Sequence, residues 1–377
     1  MRIMTIEPTP SPNTMKIVLN ETLPSGETRN YKKEQMNELP TYAKQLLSIE
    51  GVKSFYHVAD FIALERNPKF DWKEILPQVR QAFGEEVKLQ QGTKELNDHF
   101  GEVEVYVQMF RNIPMQIKLI SGEEELRVGL PDVFKNAAMK AQETSENIVI
   151  ERKWQESGVR YGDLKEIGNQ VSEEIIAAYP EERIERLVKQ ALEGTSSTNT
   201  VNSTSSKELE EALQSDDWKV RYAALDRYNP KIEDLSLLEK ALQDEKVSIR
   251  RLAVVYIGML EENQDKILPL LFEAMKDKAI TIRRTAGDCL SDLGNTKAIP
   301  TMIAALKDKN KLVRWRAAMF LYEVGDESAI QALKEAENDS EFEVSMQVKM
   351  ALARIEGGEE AKGSVWKQMT ETMKESK

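Results

Sequence analysis

Between Leu209 and about Gly357, apolar and polar residues follow a pattern that recurs about every 30 residues, a period typical of helical repeat proteins. Four copies have an apolar pair, an acidic turn, a β-branched residue and then a residue taken here as position 0; a fifth, weaker copy has Ala336, Asp339 and Val344. Position 0 is arginine in four copies and serine in the fifth: Arg221, Arg250, Arg283, Arg314 and Ser345. Small or apolar residues recur at positions −1, +3 and +7, which form one stripe along a helix. The pattern predicts an α-solenoid of about five helical hairpins, each of which buries its stripe against its neighbours.

Turn and cap residues agree with these hairpins. Gly294 and Gly325 lie where the repeat predicts the C-cap of a helix. Pro269 and Pro300 lie near the predicted first turn of the next helix. An aspartate precedes the arginine by the same spacing in three copies: Asp244, Asp277 and Asp308. We interpret the repeated Asp and Arg residues as structural ties between stacked units, since catalysis does not need a repeat.

This pattern resembles HEAT repeats, specifically the short kind also found in phycobilisome lyases. The resemblance covers Leu209 to about Gly357 and includes the spacing, the acidic turn, the arginine and the glycine. It implies an all-α solenoid that binds partners, and it implies no reaction.

Residues 1–95 alternate between strand and helix patterns and predict a small α/β domain. The predicted strands are Met15–Leu19, Gly51–Ala59 and Asp60–Arg66. The predicted helices are Leu39–Ser48 and a helix that Asp71 caps and that runs to about Phe83.

The stretch from Pro8 to Asn13, the following Met15-Lys16, the segment from Gly51 to Ile62 and the pair Asp71-Trp72 are similar to the N-terminal domain of Nfu/NifU-type iron–sulfur scaffold proteins. In that family a CxxC pair in a separate C-terminal domain holds the cluster. This chain has one cysteine and therefore no CxxC pair. The resemblance thus implies at most the docking role of the N-terminal domain.

Residues 96–193 predict a second α/β module with an antiparallel sheet. The predicted strands are Glu102–Phe110, Met115–Ile120, Glu125–Val128 and Asn147–Arg152. The predicted helices run from Asp132 to about Glu143, over Asp163–Ala178 and over Glu181–Leu192.

Residues 194–206 carry no charge and one apolar side chain, so we predict a flexible linker there. The predicted organisation is a domain at 1–95, a middle domain at 96–193, the linker at 194–206, HEAT-like repeats at 207–357 and a tail at 358–377. The fold class is multidomain, with N-terminal α/β (α+β) modules followed by an all-α HEAT-like solenoid. We expect residues 1–193 and 207–357 to fold separately.

An Nfu-type N-terminal domain, an α/β middle domain and HEAT-like repeats in this order resemble the conserved virulence factor C family of Gram-positive bacteria. The resemblance covers nearly the whole chain. It implies a regulatory influence on virulence traits and names no chemistry.

Composition narrows the class of partner and the compartment. Charged residues make up 31% of the 377 residues and the net charge is −12, which argues against non-specific binding to nucleic acid. No apolar run approaches the roughly 20 residues that span a bilayer, and the N-terminus lacks a signal-peptide core. We expect a cytoplasmic protein with no membrane segment.

Candidate chemistry is sparse. His57 and His99 are scattered, and the single Cys289 falls on the buried side of its predicted helix. Zinc sites usually need three or four protein ligands, so we expect no metal and no cofactor in the isolated chain. No nucleophile elbow, phosphate-binding loop, dinucleotide-binding motif or zinc-protease motif occurs.

One charged and aromatic cluster is predicted to lie in a loop beside two glycines, Gly158 and Gly162. Its members are Trp154, Arg160, Tyr161 and Asp163. Loop clusters of this kind often carry sites, but an ordinary connection bounded by glycine is the favoured interpretation.

The functional prediction is a non-enzymatic adaptor or regulatory scaffold that binds a protein partner on the concave face of its solenoid. Positions +1, +5 and +8 are predicted to be exposed there. The resulting strip, called the inner strip below, comprises Tyr222, Arg251, Arg284, Trp315, Met319, Tyr322 and Met346. Aromatic residues, Arg and Met are enriched at interface hot spots, so Trp315 and Arg284 are the predicted anchors. The alternative is that Trp315 and Tyr322 pack inside the protein.

Two other functions stay open at this point. One is an accessory role in iron–sulfur cluster assembly, in which the Nfu-like domain docks a client. The other is a lyase-like enzyme acting on a bound cofactor, by analogy with other proteins that carry these short repeats.

Overall fold

The computed structural model describes residues 1–9, 11, 13–24, 27–33, 39–83, 102–121, 124–144, 147, 151–193 and 203–358. They belong to two compact units. The first unit joins Met1–Phe100 to Leu306–Lys377, and the second unit is Gly101–Ala305. Each unit therefore takes residues from both sides of the predicted linker at 194–206.

The described strands form two antiparallel sheets. In chain order they are β1 (Ile3–Pro8), β2 (Thr14–Leu19), β3 (Thr28–Lys32), β4 (Val52–Val58), β5 (Phe61–Arg66), β6 (Glu102–Phe110), β7 (Ile113–Ser121), β8 (Glu124–Gly129) and β9 (Lys153–Tyr161). The sheet of the first unit has the order β1-β2-β5-β4-β3, and the sheet of the second unit has the order β8-β7-β6-β9.

The described α-helices follow the predicted hairpins closely. In chain order they are α1 (Thr41–Ser48), α2 (Trp72–Ala82), α3 (Asp132–Ala141), α4 (Leu164–Ala178), α5 (Glu181–Leu192), α6 (Ser206–Ala212), α7 (Trp218–Asp226), α8 (Leu235–Leu242), α9 (Val247–Gly258), α10 (Gln264–Ala274), α11 (Ile280–Leu293), α12 (Ile299–Ala305), α13 (Lys311–Val324), α14 (Ile330–Ala336) and α15 (Phe342–Glu356). The predicted fold class is confirmed: α/β modules come first and HEAT-like helical repeats follow.

In the first unit, α1 and α2 cover one face of the sheet. Strands β2 and β5 alternate between buried and half-buried residues, as a strand with one face on a core does. The core includes Ile17, Phe55, Ile62 and Trp72, each at most 1% exposed. The same unit contains α13, α14 and α15, and Phe342 of α15 packs against this core.

In the second unit, α3 and α4 pack on the sheet and the helices of the first three repeats follow. Val105 and Ile117 of the sheet share one core with Phe134 of α3 and with Val171 of α4. The second helices of the repeats, α7, α9 and α11, lie side by side.

The stripe predicted for the repeats is confirmed. Ile282, Ala286 and Leu290 of α11 are buried, and so are their equivalents in α13. Gly294 ends α11 in the left-handed conformation with φ 58°, as a C-cap glycine does. Two details differ: Gly325 ends α13 with extended geometry, and Pro269 lies inside α10 instead of in its first turn.

Several predictions of local structure need correction. The segment of Trp154 and Arg160 is strand β9, with Gly158 at φ 75°, and is not a loop. The strand predicted at Asn147–Arg152 begins instead at Lys153, and residues 148–150 lie outside the described residues. Of the predicted linker, residues 194–202 also lie outside them. Thr204 pairs with Tyr228 and Ser205 caps α6, so this end of the predicted linker belongs to the first repeat.

Candidate functional site

Three of the arginines at position 0 form bidentate ion pairs with aspartates one repeat further along. Arg221 donates to both carboxylate oxygens of Asp244 at 2.7 and 3.1 Å. Arg250 donates in the same way to Asp277 at 2.7 and 3.0 Å. In the first unit Arg314 donates to Asp339 at 2.7 and 2.9 Å. These side chains are mostly buried, so the pairs are charge-assisted and shielded from solvent.

Each arginine also donates hydrogen bonds to backbone carbonyls of the turn that precedes its own helix. Arg250 Nη1 donates to the carbonyls of Asp244 and Glu245 at 2.8 and 3.0 Å, and Arg283 Nη1 donates to those of Asp277 and Lys278. Burial alone would raise the pKa of Asp277, but hydrogen bonds from Arg250 and from the amide of Ala279 outweigh it and lower that pKa. The structural interpretation of the repeated Asp and Arg residues is confirmed for the three pairs just described.

The prediction that the inner strip is exposed is wrong for most of its residues. Tyr222 is 6% exposed, Arg284 1%, Trp315 2% and Met319 0%. The remaining three, Arg251, Tyr322 and Met346, are half-buried. A helical wheel places these positions away from the stripe, but it does not show what else packs on that side.

In the second unit the inner strip is covered by the chain's own middle domain. The ring of Tyr161, at the end of β9, lies 4.3 Å from the guanidinium carbon of Arg284. The Tyr161 hydroxyl donates to Asp288 Oδ2 at 3.3 Å, and Arg284 forms an ion pair with Oδ1 of the same carboxylate. Arg284, one of the two predicted anchors, therefore holds an element of its own chain.

Helices α4 and α5 add three more polar contacts to the repeats. Gln170 donates to the hydroxyl of Ser248 at 3.4 Å, and Glu173 pairs with Lys246 at 2.7 Å. Arg183 of α5 pairs with Asp226 of α7 at 3.3 Å. The middle domain is thus fixed to the second helices of successive repeats by side chains on β9, α4 and α5.

In the first unit, the Nfu-like domain makes the corresponding contact with α15. Arg66 Nη2 donates to Glu343 Oε1 at 2.9 Å, and both side chains are nearly buried. Phe342 and the half-buried Met346 pack against the core that contains Trp72. Met346, the last residue of the inner strip, therefore also lies against a domain of its own chain.

The predicted cluster on β9 is divided by the strand. Trp154 lies near Lys118 and Arg127 at one end of β9, whereas Arg160 and Tyr161 lie at the end that faces the repeats. Asp163 is the N-cap of α4 and accepts hydrogen bonds from two amides of its first turn. The structure therefore does not bring these four residues together into one site.

The candidate chemical groups have structural surroundings. His57 is 1% exposed, its Nδ1 lies 2.9 Å from the Tyr42 hydroxyl, and burial lowers its pKa. Burial raises the pKa of Cys289 to about 12, which keeps the thiol protonated. His99 lies outside the described residues. Within the part of the chain that the structure describes, no group of three or more His, Cys, Asp and Glu residues is arranged to hold a metal ion.

An open groove lies in the second unit where the middle domain meets the first repeat. It has a volume of about 860 Å³, and α3, α4, α5, α6 and α7 all contribute to its lining. Val133 and Val220 are large apolar residues on its walls, and they are 40% and 46% exposed. We call this feature the first-repeat groove; no residue of the inner strip lines it.

Val220 occupies position −1 of the first repeat, and its exposure distinguishes it from every equivalent residue. Ile249, Ile282, Val313 and Val344 are at most 1% exposed. The rest of the α7 stripe is covered, since Ala224 and Tyr228 at positions +3 and +7 are each 4% exposed. Val220 could have been singled out from the sequence, because no preceding repeat is available to cover position −1 of the first unit.

The comparisons with known proteins agree with this architecture of two α/β modules and a HEAT-like array. Family models match at residues 3–90 (scaffold protein Nfu/NifU N terminal), 108–188 (virulence factor) and 235–353 in two overlapping parts (HEAT repeats). "Conserved virulence factor C" from Staphylococcus saprophyticus is 48% identical over 98% of each chain. "Uncharacterized protein YpgR" from Bacillus subtilis is 57% identical over 99% of each chain.

The chain thus belongs to the conserved virulence factor C family. A crystal structure of protein SAV1430 from Staphylococcus aureus is 37% identical and covers 22% of this chain and 99% of its own, with a TM-score of 0.21. Family membership and the HEAT-like repeats fit a regulatory or adaptor role. Among the described residues, no helix has the length and hydropathy needed to cross a bilayer.

Proposed function

We propose that this protein is a non-enzymatic adaptor that binds an amphipathic helix of a partner protein in the first-repeat groove. The observation that carries the proposal is the exposure of Val220, 46% against at most 1% at its equivalents. This position revises the predicted binding surface, because the inner strip is largely buried.

The kind of partner follows from the repeat itself. In the second unit, α7, α9 and α11 pack side by side, so the stripe of a second helix is a surface that another helix fits. On α7 the groove is lined by Val220, Ala223 and Ala224, of which Val220 is exposed, and Val133 and Ile176 of the middle domain extend this lining. A partner helix with apolar residues at three- and four-residue spacing would bury this surface.

The rim of the groove gives such a helix polar contacts. Glu181, Glu208 and Asp217 contribute carboxylates, and Lys219 and Arg227 contribute cations. An apolar centre with a charged rim is the usual composition of a protein interface.

The test is site-specific photo-crosslinking in a lysate of the producing organism. A benzophenone amino acid at exposed Lys219, beside Val220, is expected to cross-link a partner segment that mass spectrometry identifies. A synthetic peptide of that segment should gain helical circular dichroism when it binds the full-length protein. Val220→Lys should abolish both cross-linking and peptide binding, because a charge would be buried under the helix.

The matched control is Met259→Lys, which places the same charge at a residue that is 59% exposed and does not line the groove. It should leave binding and the melting temperature unchanged. The proposal is contradicted if Val220→Lys still binds the segment, if the segment binds without becoming helical, or if the only cross-linked partner is a second copy of this chain.

A further inference from the structure

Neighbouring arginines on α9 have very different surroundings. Arg250 is held by two oxygens of Asp277 and by two backbone carbonyls. Arg251, the next residue, forms no hydrogen bond and no ion pair with any described residue, and its Nε is buried without an acceptor. The residue as a whole is half-buried. An arginine that folding alone had placed here would be expected to have a carboxylate or carbonyl beside it.

The charge of Arg251 is not offset by its neighbours. Arg160 of β9 is 7% exposed, its Nε also lacks an acceptor, and its Nη2 lies 3.5 Å from Glu174 Oε2. Burial, and next the positive charge of Arg251, lower the pKa of Arg160 to about 10, although Glu174 opposes this shift. Arg160, Arg251 and Glu174 together therefore carry one positive charge in excess.

No other described group pairs with Arg251 as an anion. Burial raises the pKa of Tyr222 and raises the pKa of Cys289 to about 12, so both are neutral at pH 7. Asp226 pairs with Arg183, and Asp288 pairs with Arg284. Asp292, which acts on Cys289 from the same helix, is exposed to solvent. Arg160 on β9 and Arg251 on α9 thus lie close enough for their positive charges to repel one another.

We propose that Arg251 and Arg160 form a binding site for an oxyanion, a phosphate or carboxylate group of a ligand. A guanidinium presents paired N–H donors that match two oxygens of such a group. The Nε–H of each arginine, which lacks an acceptor among the described residues, would gain one. An arrangement that opposes folding and that a ligand would relieve is typical of functional sites.

The test uses thermal unfolding of the full-length protein at pH 7 in sodium chloride, sodium phosphate and sodium acetate of equal ionic strength. Phosphate, acetate or both are expected to raise the melting temperature in a saturable way relative to chloride. A rise with phosphate alone points to a phosphorylated ligand, and a rise with both anions points to a carboxylate or simple oxyanion. Equal melting temperatures in all three salts overturn the proposal.

Variants separate the site from a general effect of salt. Arg251→Gln should remove the rise, and in chloride it should melt no lower than the wild type because it removes the repulsion on Arg160. Arg251→Lys keeps the positive charge but loses the paired N–H donors of the guanidinium. The anion should therefore raise its melting temperature less than that of the wild type. Arg186→Gln, at an exposed arginine of α5, should keep it. The proposal fails if Arg251→Gln keeps the full rise, which would indicate an adventitious ion only, or if it melts well below the wild type in chloride.

Discussion

At the scale of single residues, the same side chain at neighbouring positions has different roles. Arginine at position 0 recurs with its aspartate, and repetition was enough to predict a structural tie from the sequence. Arginine at position +1 occurs twice, as Arg251 and Arg284; the prediction of exposure was wrong for Arg284, which is 1% exposed, whereas Arg251 is half-buried. The sequence of a repeat does not contain the residues of another domain that cover it, so Tyr161 above Arg284 could not be foreseen.

Removal of Arg250 should be severe because it leaves Asp277 buried without its partner. We expect Arg250→Ala to lower the free energy of unfolding at pH 7 by about 3–5 kcal/mol, the scale for one partner of a buried ion pair. Denaturant unfolding measures this change. Arg186→Ala, at an exposed arginine, is the control and should change stability by less than about 0.5 kcal/mol. An equal effect of the two substitutions would contradict the buried-pair interpretation.

The loss of stability caused by Arg250→Ala should depend on pH in a definite direction. The pKa of Asp277 is lower in the folded protein than its ordinary value, so the folded state binds fewer protons than the unfolded state. The stabilisation is therefore present above the ordinary aspartate pKa of about 3.9 and is lost as pH falls through the lower folded value. The difference in the free energy of unfolding between the wild type and Arg250→Ala should become smaller below about pH 4.

At the scale of elements, prediction succeeded where the apolar period was clean. Strand β6 and helix α5 have the predicted bounds, and alternation or amphipathicity is strong in both. Strand β3 was missed and strand β9 was placed too early in the chain, and both errors have a physical reason. Strand β3 buries one side chain, Tyr31, and β9 is interrupted by Gly158 at a positive φ, so neither shows a period of two.

Close packing of α9 on α11 depends on Gly258, the last residue of α9. A Cβ at this position would lie 2.5 Å from the Sγ of Cys289. We therefore expect Gly258→Ala to destabilise the protein by about 1–3 kcal/mol, as overpacking of a core does, although alanine ordinarily favours a helix.

The double variant Gly258→Ala with Cys289→Ala supplies the control, because it removes the sulfur that the new methyl group would meet. Its melting temperature should lie above that of Gly258→Ala alone. If Cys289→Ala adds its own loss to that of Gly258→Ala without any compensation, the helices do not meet at this pair.

At the scale of the whole molecule, the domain order was evident from the sequence. That the repeats contact the two N-terminal domains was not. Residues from both sides of the predicted linker meet within each compact unit: Arg66 with Glu343 in the first, and Tyr161 with Arg284 in the second. The expectation that residues 1–193 and 207–357 fold separately stays a prediction. These contacts indicate that the two parts also hold one another.

A chain cut in the predicted linker tests this directly. We expect a protease site introduced between residues 194 and 202 to yield two pieces that co-elute in size-exclusion chromatography at moderate salt, because contacts in both units join them. Tyr161→Ala with Arg183→Ala removes two contacts of the second unit, and Arg66→Ala removes the ion pair of the first. The triple variant should separate into its pieces at a salt concentration at which the cut wild type stays whole.

The control for that experiment is Trp154→Ala, which truncates an aromatic residue of β9 whose contacts are with Lys118 and Arg127 of its own sheet. The cut Trp154→Ala protein should co-elute like the wild type. If the pieces of the wild type separate on cutting, the domains are joined by the linker alone and the inner strip becomes free for a partner, as the sequence first suggested. If they stay together, a partner has to use the surfaces that remain open, and the groove at Val220 is the one that the repeat itself leaves uncovered.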